Sequence, residues 1–317
     1  MPRAAKALYA VLATLALAAP APAVTASARD APVVAADAPT PTPPPNMPRM
    51  PGVRGLEIGV PAYVSANDRM LTDLTATGPA ASVVVLNPGN GDAPFDAPWR
   101  ARADALRSRT TSTGEKTKVL GYVHTDHGNR DIAAVKASVD NYLRTSDRRL
   151  HVDGIFFDVV SRDCGPANAT RDRYAELRRY VQETMNAVDP AAPDLVVNNP
   201  GTAIADCYLE PGRRTADVFV TFEDTYAAYT GAGWLGGNVF DPLAGYRSGA
   251  ELDPSGTAFW HLVHDVPDAE AMRATLRTAF DRGAGYAYAT STVMPNPWNA
   301  GPTWKYRAQT TYAATLG

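Results

Sequence analysis

The 317-residue chain has no concentrated positive charge, no apolar run long enough to cross a bilayer and only two cysteines, and each shortage removes a class of function. At a formal net charge of -3, with no cluster of Lys and Arg, it lacks the electrostatic footprint on which phosphate recognition relies, so no nucleic-acid partner is expected. The N-terminal apolar stretch, Ala7 to Ala19, is shorter than the ~20 residues of a spanning helix. No Gly-x-Ser-x-Gly elbow occurs and neither cysteine lies in a recognised nucleophile setting, which argues against serine or thiol hydrolase chemistry. No Gly-x-Gly-x-x-Gly follows the first strand-like run. Gly89-Asn90-Gly91 lacks the third glycine and the helix start, so a dinucleotide site has little support. His261 and His264, three apart on a predicted strand, would face opposite sides and not share a metal ion. No cofactor and no metal are expected.

What is present begins with Arg3 and Lys6, the apolar stretch, and the small-residue sites Ala21-Pro22-Ala23 and Ala26-Ser27-Ala28. This is the pattern of a secretory signal peptide over residues 1–28, so an extracellular protein without a membrane partner after cleavage is expected. Residues 29–52 are rich in Ala and Pro and read as an extended linker. Export makes a Cys164 to Cys207 disulfide plausible, since each follows a predicted strand in loops that neighbouring strands of one barrel would place on one rim.

From residue 53 to 317, apolar runs recur at Leu56 to Val60, Ser82 to Leu86, Lys118 to Val123, Val152 to Phe157, Leu195 to Asn198, Val218 to Phe222, Ala258 to Val263 and Gly285 to Ala289. Helical periodicity lies between several of them: Ile132, Val135, Val139 and Leu143; Tyr174, Leu177, Val181, Met185 and Val188; Met272, Leu276 and Phe280. Eight strand and helix units in some 260 residues have the size and rhythm of a single α/β domain, a (β/α)8 TIM barrel. A doubly wound open sheet is the second choice.

Barrel chemistry sits at the carboxyl ends of the strands. Two runs end on acids, Asp158 and Glu223, and alternation places Gly154, Phe156 and Asp158 on one face and Phe219, Thr221 and Glu223 on one face. Two acids facing one cleft suit glycosidic bond cleavage, with Phe156, Phe157 and Phe222 as apolar walls that would raise a pKa. The bland reading is that each acid caps a helix or pairs with an arginine. Other strand tips supply Tyr63, Asn87, Tyr122, His124, His127, Asn199, Asp224 and His261, a set suited to a hydroxyl-rich ligand, and Trp298 follows the eighth strand where it could stack on a sugar. Trp260, among apolar neighbours, reads as core.

Six short motifs then carry a resemblance: Val60-Pro61-Ala62-Tyr63, Val85-Leu86-Asn87-Pro88-Gly89, Gly121-Tyr122-Val123-His124-Thr125, Gly154-Ile155-Phe156-Phe157-Asp158, Asn199-Pro200-Gly201-Thr202 and Val220-Thr221-Phe222-Glu223-Asp224. In this order the chain resembles the spherulation-specific, or spherulin-4, family from about Gly55 onward. The resemblance implies a TIM barrel and a glycoside hydrolase of galactosamine-containing polysaccharide, such as the α-1,4-linked galactosaminogalactan of fungal surfaces, with catalytic acids after the fourth and sixth strands at Asp158 and Glu223. The family's fourth strand typically ends in Asp-Glu, and Val159 stands here in place of the second acid. An active hydrolase and a non-catalytic carbohydrate-binding barrel are therefore both open, each with a polysaccharide partner and an expected monomer.

Overall fold

The computed structural model describes residues 55–210, 212–231 and 258–316. The expected signal peptide and linker lie outside these residues. Eight parallel strands close into a barrel in sequence order: β1 Glu57–Ala62, β2 Val83–Leu86, β3 Lys118–His124, β4 Gly154–Asp158, β5 Leu195–Asn199, β6 Val218–Thr225, β7 Ala258–His264 and β8 Tyr286–Ala289. Each falls on a run predicted from sequence. β2, Val-Val-Val-Leu, is buried at every position, as a strand must be when side chains fill the barrel on one face and helices cover the other.

The described helices are α1 Arg69–Ala76, α2 Ala97–Arg107, α3 Ile132–Leu143, α4 Ala169–Asn186, α5 Tyr226–Thr230, α6 Ala269–Asp281 and α7 Tyr306–Ala313. The three periodic segments appear as α3, α4 and α6. Aspartates start the helices by accepting from free first-turn N–H groups: Asp68 from Met70, Asp131 from Ala133 and Ala134, Asp268 from Glu270 and Ala271. α4 stops short of Asp189-Pro190, because proline disfavours helical geometry in its predecessor.

Trp260 fills the barrel interior, edge-on to Phe156 at 5.8 Å. It fits because Gly59 of β1 has no side chain: a Cβ there would come within 2.5 Å of the indole. Truncating so fully buried a ring would cost about 3–5 kcal/mol. The amino-terminal face of the barrel is tied by ion pairs. Arg107 of α2 grips Asp153 at 2.9 Å, and Asp153 also accepts from the Val119 amide at 2.8 Å, which fixes the start of β4 against β3.

The expected disulfide is present. Cys164 and Cys207, with Cα atoms 6.2 Å apart, join the loops after β4 and β5 across a sequence separation of 43. Replacing both cysteines with serine is expected to cost about 2–4 kcal/mol, largely through the unfolded chain, and to lower the melting temperature by roughly 4–16 °C. Thermal melts of the variant and of the reduced wild type, compared with the oxidised protein, check this.

Candidate active site

Alternation along β4 puts Phe156 and Asp158 on the interior face, where Phe156 packs on Tyr122 and Trp260. β6 reaches the same face by a different route. Val220 is level with Trp260 and faces inward, whereas Phe219 packs outward on Tyr208. Regular alternation would then send Glu223 outward as well. Instead the ladder slips, since Val220 and Phe222 pair with Trp260 and His261, which are consecutive on β7, leaving Thr221 as the extra residue of a bulge. Phe222 consequently lands outside, 4.8 Å from the Tyr229 ring of α5, and Glu223 lands inside. This corrects two sequence expectations. Phe219 does not share a face with Glu223, and of the three proposed aromatic walls only Phe156 lies beneath the acids, because Phe157 and Phe222 face the helices.

The two carboxylates meet at one amide. Asn199 Nδ2 donates to Asp158 Oδ1 and to Glu223 Oε2, each at 2.7 Å. The Asn199 carbonyl accepts from Gly201 N–H at 2.8 Å, which settles which end of the amide faces the acids. Gly201 occupies the left-handed region at φ 68, and its own carbonyl accepts from Glu223 N–H at 3.0 Å, so one turn positions both the amide and the acid. Trp298 Nε1 donates to Glu223 Oε1 at 2.8 Å. Tyr122 and the Val159 amide bond the Asp158 carboxylate. The Tyr63 ring stands edge-on to Tyr122 at 5.1 Å, and its amide donates to the Trp298 carbonyl at 2.9 Å.

Since both oxygens lie 2.7 Å from one nitrogen, they can be no farther apart than twice that distance. That upper bound on these two oxygens lies below the roughly 6.5–9.5 Å that leaves room for a water between two inverting carboxylates. Burial, and then the charge of Asp158, push Glu223 up to about 7 against the pull of Asn199 and Trp298. Burial also raises Asp158, but Tyr122, Val159 N–H, Asn199 and the charge of His124 all favour its ionised form. Asp158 thus ionises first and Glu223 keeps its proton longer. The phenols of Tyr63 and Tyr122 are pushed upward, mainly by burial and then by the nearby acids, and stay protonated donors.

This arrangement costs stability. The unfolded chain loses the Glu223 proton near the ordinary 4.5, whereas the folded chain holds it to about 7, so this contribution is full below pH 4.5 and declines as pH rises to about 7. Relative to Glu223→Gln, which cannot ionise, the wild type is expected to lose up to a few kcal/mol across that window. Melting temperatures of the pair from pH 4 to pH 8 read the difference directly, and a constant offset would exclude a destabilising charge.

Six of the residues named from sequence converge: Asp158, Glu223, Asn199, Tyr122, Tyr63 and Trp298. His124 is half-buried and level with Asp158 across the β3–β4 ladder. Asn87 is half-buried at the tip of β2, 3.4 Å from Asn90. The exposed His127 contributes its amide, which donates to the Val159 carbonyl at 2.6 Å. Two expectations are corrected. Asp224 is exposed, its carboxylate accepting from the Thr225 amide at 2.6 Å. His261 faces the helices, with Nδ1 2.8 Å from the Tyr229 hydroxyl, and burial followed by the charge of Arg282 draws it down to about 3. The β7 histidine that lines the cleft is His264. The cleft, of about 530 Å³, is bordered by Tyr63, Gly201, Glu223, His264, Met294 and Trp298, with Pro295 and Pro297 between the last two. Parity held the signal: two histidines three apart on a strand must face opposite sides, and the inward one is His264.

The model of spherulation-specific family 4 matches residues 57–310. The chain belongs to that family. Among solved structures, the family member is similar to Aspergillus clavatus Sph3 in complex with GalNAc, at 24% identity over 82% of this chain and 98% of that one, with a TM-score of 0.59. Weaker likenesses include a citrate lyase from Burkholderia xenovorans (16% identity, 84% of this chain and 79% of that one, TM-score 0.44) and a chitinase of glycoside hydrolase family 18 from Pseudoalteromonas aurantia (11%, 74% and 93%, 0.41). At these identities the likeness bears on the fold alone. No match was found among curated proteins.

Proposed function

We propose that this family member is a secreted glycoside hydrolase that cleaves galactosamine- or N-acetylgalactosamine-containing polysaccharide by carboxylate catalysis. The observation that carries this reading is the single Asn199 amide bridging Asp158 and Glu223 at the mouth of the barrel. The GalNAc bound in the Aspergillus relative supports the choice of sugar. The N-terminal sequence supports export.

In this mechanism Glu223 donates its proton to the glycosidic oxygen as the bond breaks, while ionised Asp158 attacks the anomeric carbon. Water, deprotonated by Glu223, then releases the sugar with its configuration retained. Asn199 and Tyr122 keep Asp158 in line, and Trp298 steers the Glu223 proton toward the leaving oxygen. The test is incubation of the protein from Arg29 onward with N-acetylated and de-N-acetylated galactosaminogalactan, followed by mass analysis of soluble oligosaccharides. Products from either polymer that disappear in the Asp158→Asn variant support the reading, and their absence with both polymers rejects it.

Val159 favours a second reading, a binding barrel that has lost an acid. Val159 holds a left-handed backbone at φ 52, unusual for a β-branched residue, with its carbonyl bonded by His127 N–H at 2.6 Å and the Thr125 hydroxyl at 2.9 Å. Since Asp158 and Glu223 form a complete pair without it, Val159→Glu is expected to leave turnover essentially as it is. A gain of about tenfold or more in the reducing-sugar assay would favour the degenerate reading.

A further inference from the structure

His264 ends β7 at 5% exposure, in the wall of the cleft. The carboxylate machinery described above does not use it. Its ring stands edge-on to Trp298, with centroids 6.1 Å apart at 81°, so the indole that holds Glu223 also supports the imidazole. Nδ1 is buried without a hydrogen-bond partner among the described residues. Asp265 Oδ1 lies 3.7 Å from Nδ1, beyond hydrogen-bond length. The imidazole therefore keeps hydrogen-bonding capacity for a ligand in the cleft that it lines.

Met294, Pro295 and Pro297, with Asn296 among them, give that wall apolar surface suited to the C–H face of a sugar ring. A ring resting on them would be turned by polar contacts alone. The imidazole is already largely buried in the free protein. A ligand group that bonds it therefore gains an interaction that water does not fully provide, and a ligand lacking the group leaves it unpaired.

We propose that His264 is a specificity-determining residue that forms a hydrogen bond with one polar group, a hydroxyl or an amide, of the sugar seated beside Glu223. This rests on the functional reading above and deepens it, because it assigns recognition of a ring substituent to a residue outside the catalytic pair. The ligand class is a hexopyranoside with a hydroxyl or amide on the edge facing β7.

The test is a binding cycle that needs no turnover. Wild type, His264→Phe, which keeps the ring against Trp298, and His264→Gln, which keeps a polar end, are titrated by calorimetry with the methyl glycoside of N-acetylgalactosamine and with its monodeoxy and 2-deoxy analogues. One analogue is expected to bind wild type at least about tenfold more weakly than the parent. His264→Phe is expected to lose the same factor for the parent and nothing further for that analogue, with His264→Gln recovering part of the loss. Equal losses for every analogue, or no loss at all, would overturn the role of His264 while leaving the hydrolysis reading intact if wild type still cleaves polymer. Failure of wild type to bind any of these sugars would overturn the His264 proposal, and absence of polymer cleavage as well would remove the functional reading with it.

Discussion

Glu223→Gln is expected to lower hydrolysis of the natural polymer by about 10²- to 10⁴-fold, the usual worth of a positioned acid. The substitution keeps the shape of the side chain and one acceptor for the amide or indole donor, so the loss reports the proton. In wild type, kcat/KM is expected to fall as pH rises beyond about 7, where burial and the charge of Asp158 place the Glu223 transition, because the deprotonated acid cannot assist departure of the leaving oxygen. That limb should be missing from the residual activity of the variant. An aryl glycoside whose leaving group needs no proton separates the roles: Glu223→Gln should recover its first, bond-breaking step on such a substrate, and Asp158→Asn should not. The opposite pattern would exchange the two assignments, and unchanged turnover in Glu223→Gln would remove it from the mechanism.

Asn199→Ala is expected to reduce kcat by about 10²- to 10³-fold, the loss usual for one preorganised donor at a developing charge. The side chain supplies both N–H groups that hold the acids apart and together, each at 2.7 Å, and its carbonyl anchors the Gly201 turn from which Glu223 is hung. Asn199→Asp should be worse still. It preserves the acceptor for Gly201 but sets a third carboxylate against two that already repel, which drives the shared proton load higher. A pH profile distinguishes this from simple misfolding: in Asn199→Asp the basic limb moves to higher pH, whereas a merely loosened site loses rate at every pH. Full activity in Asn199→Ala would show that the acids need no bridge.

Strand runs such as Val-Val-Val-Leu at β2 and the helical spacing of Ile132, Val135, Val139 and Leu143 are local statements of burial, and they were legible because each side chain reports its own environment. The strand-end acids were legible for the same reason, since a carboxylate at the end of an apolar run has few other places to go. The bridge at Asn199 was not, because a donor shared by two acids exists only once three strands are in register. His261 and His264 show the limit most plainly: their opposite facing follows from spacing, but which one faces the cleft depends on the register of β7 against its neighbours. The phase of β6 was concealed too, because the bulge at Thr221 undoes the alternation that sequence reasoning has to assume.

That bulge makes the pairing of β6, not the identity of its side chains, what decides where the acid points. Between Val220 and Glu223 many side chains could serve, provided that one residue of the present strand stays outside the ladder. Deleting the extra residue, Thr221, would restore regular pairing with β7 and still leave Glu223 level with Leu262 on the inner face, whereas pairing the full-length strand without the bulge would swing the acid half a turn into the helical layer. Relatives of this chain that lack both this residue and the bulge would therefore be expected to keep the acid over the barrel mouth.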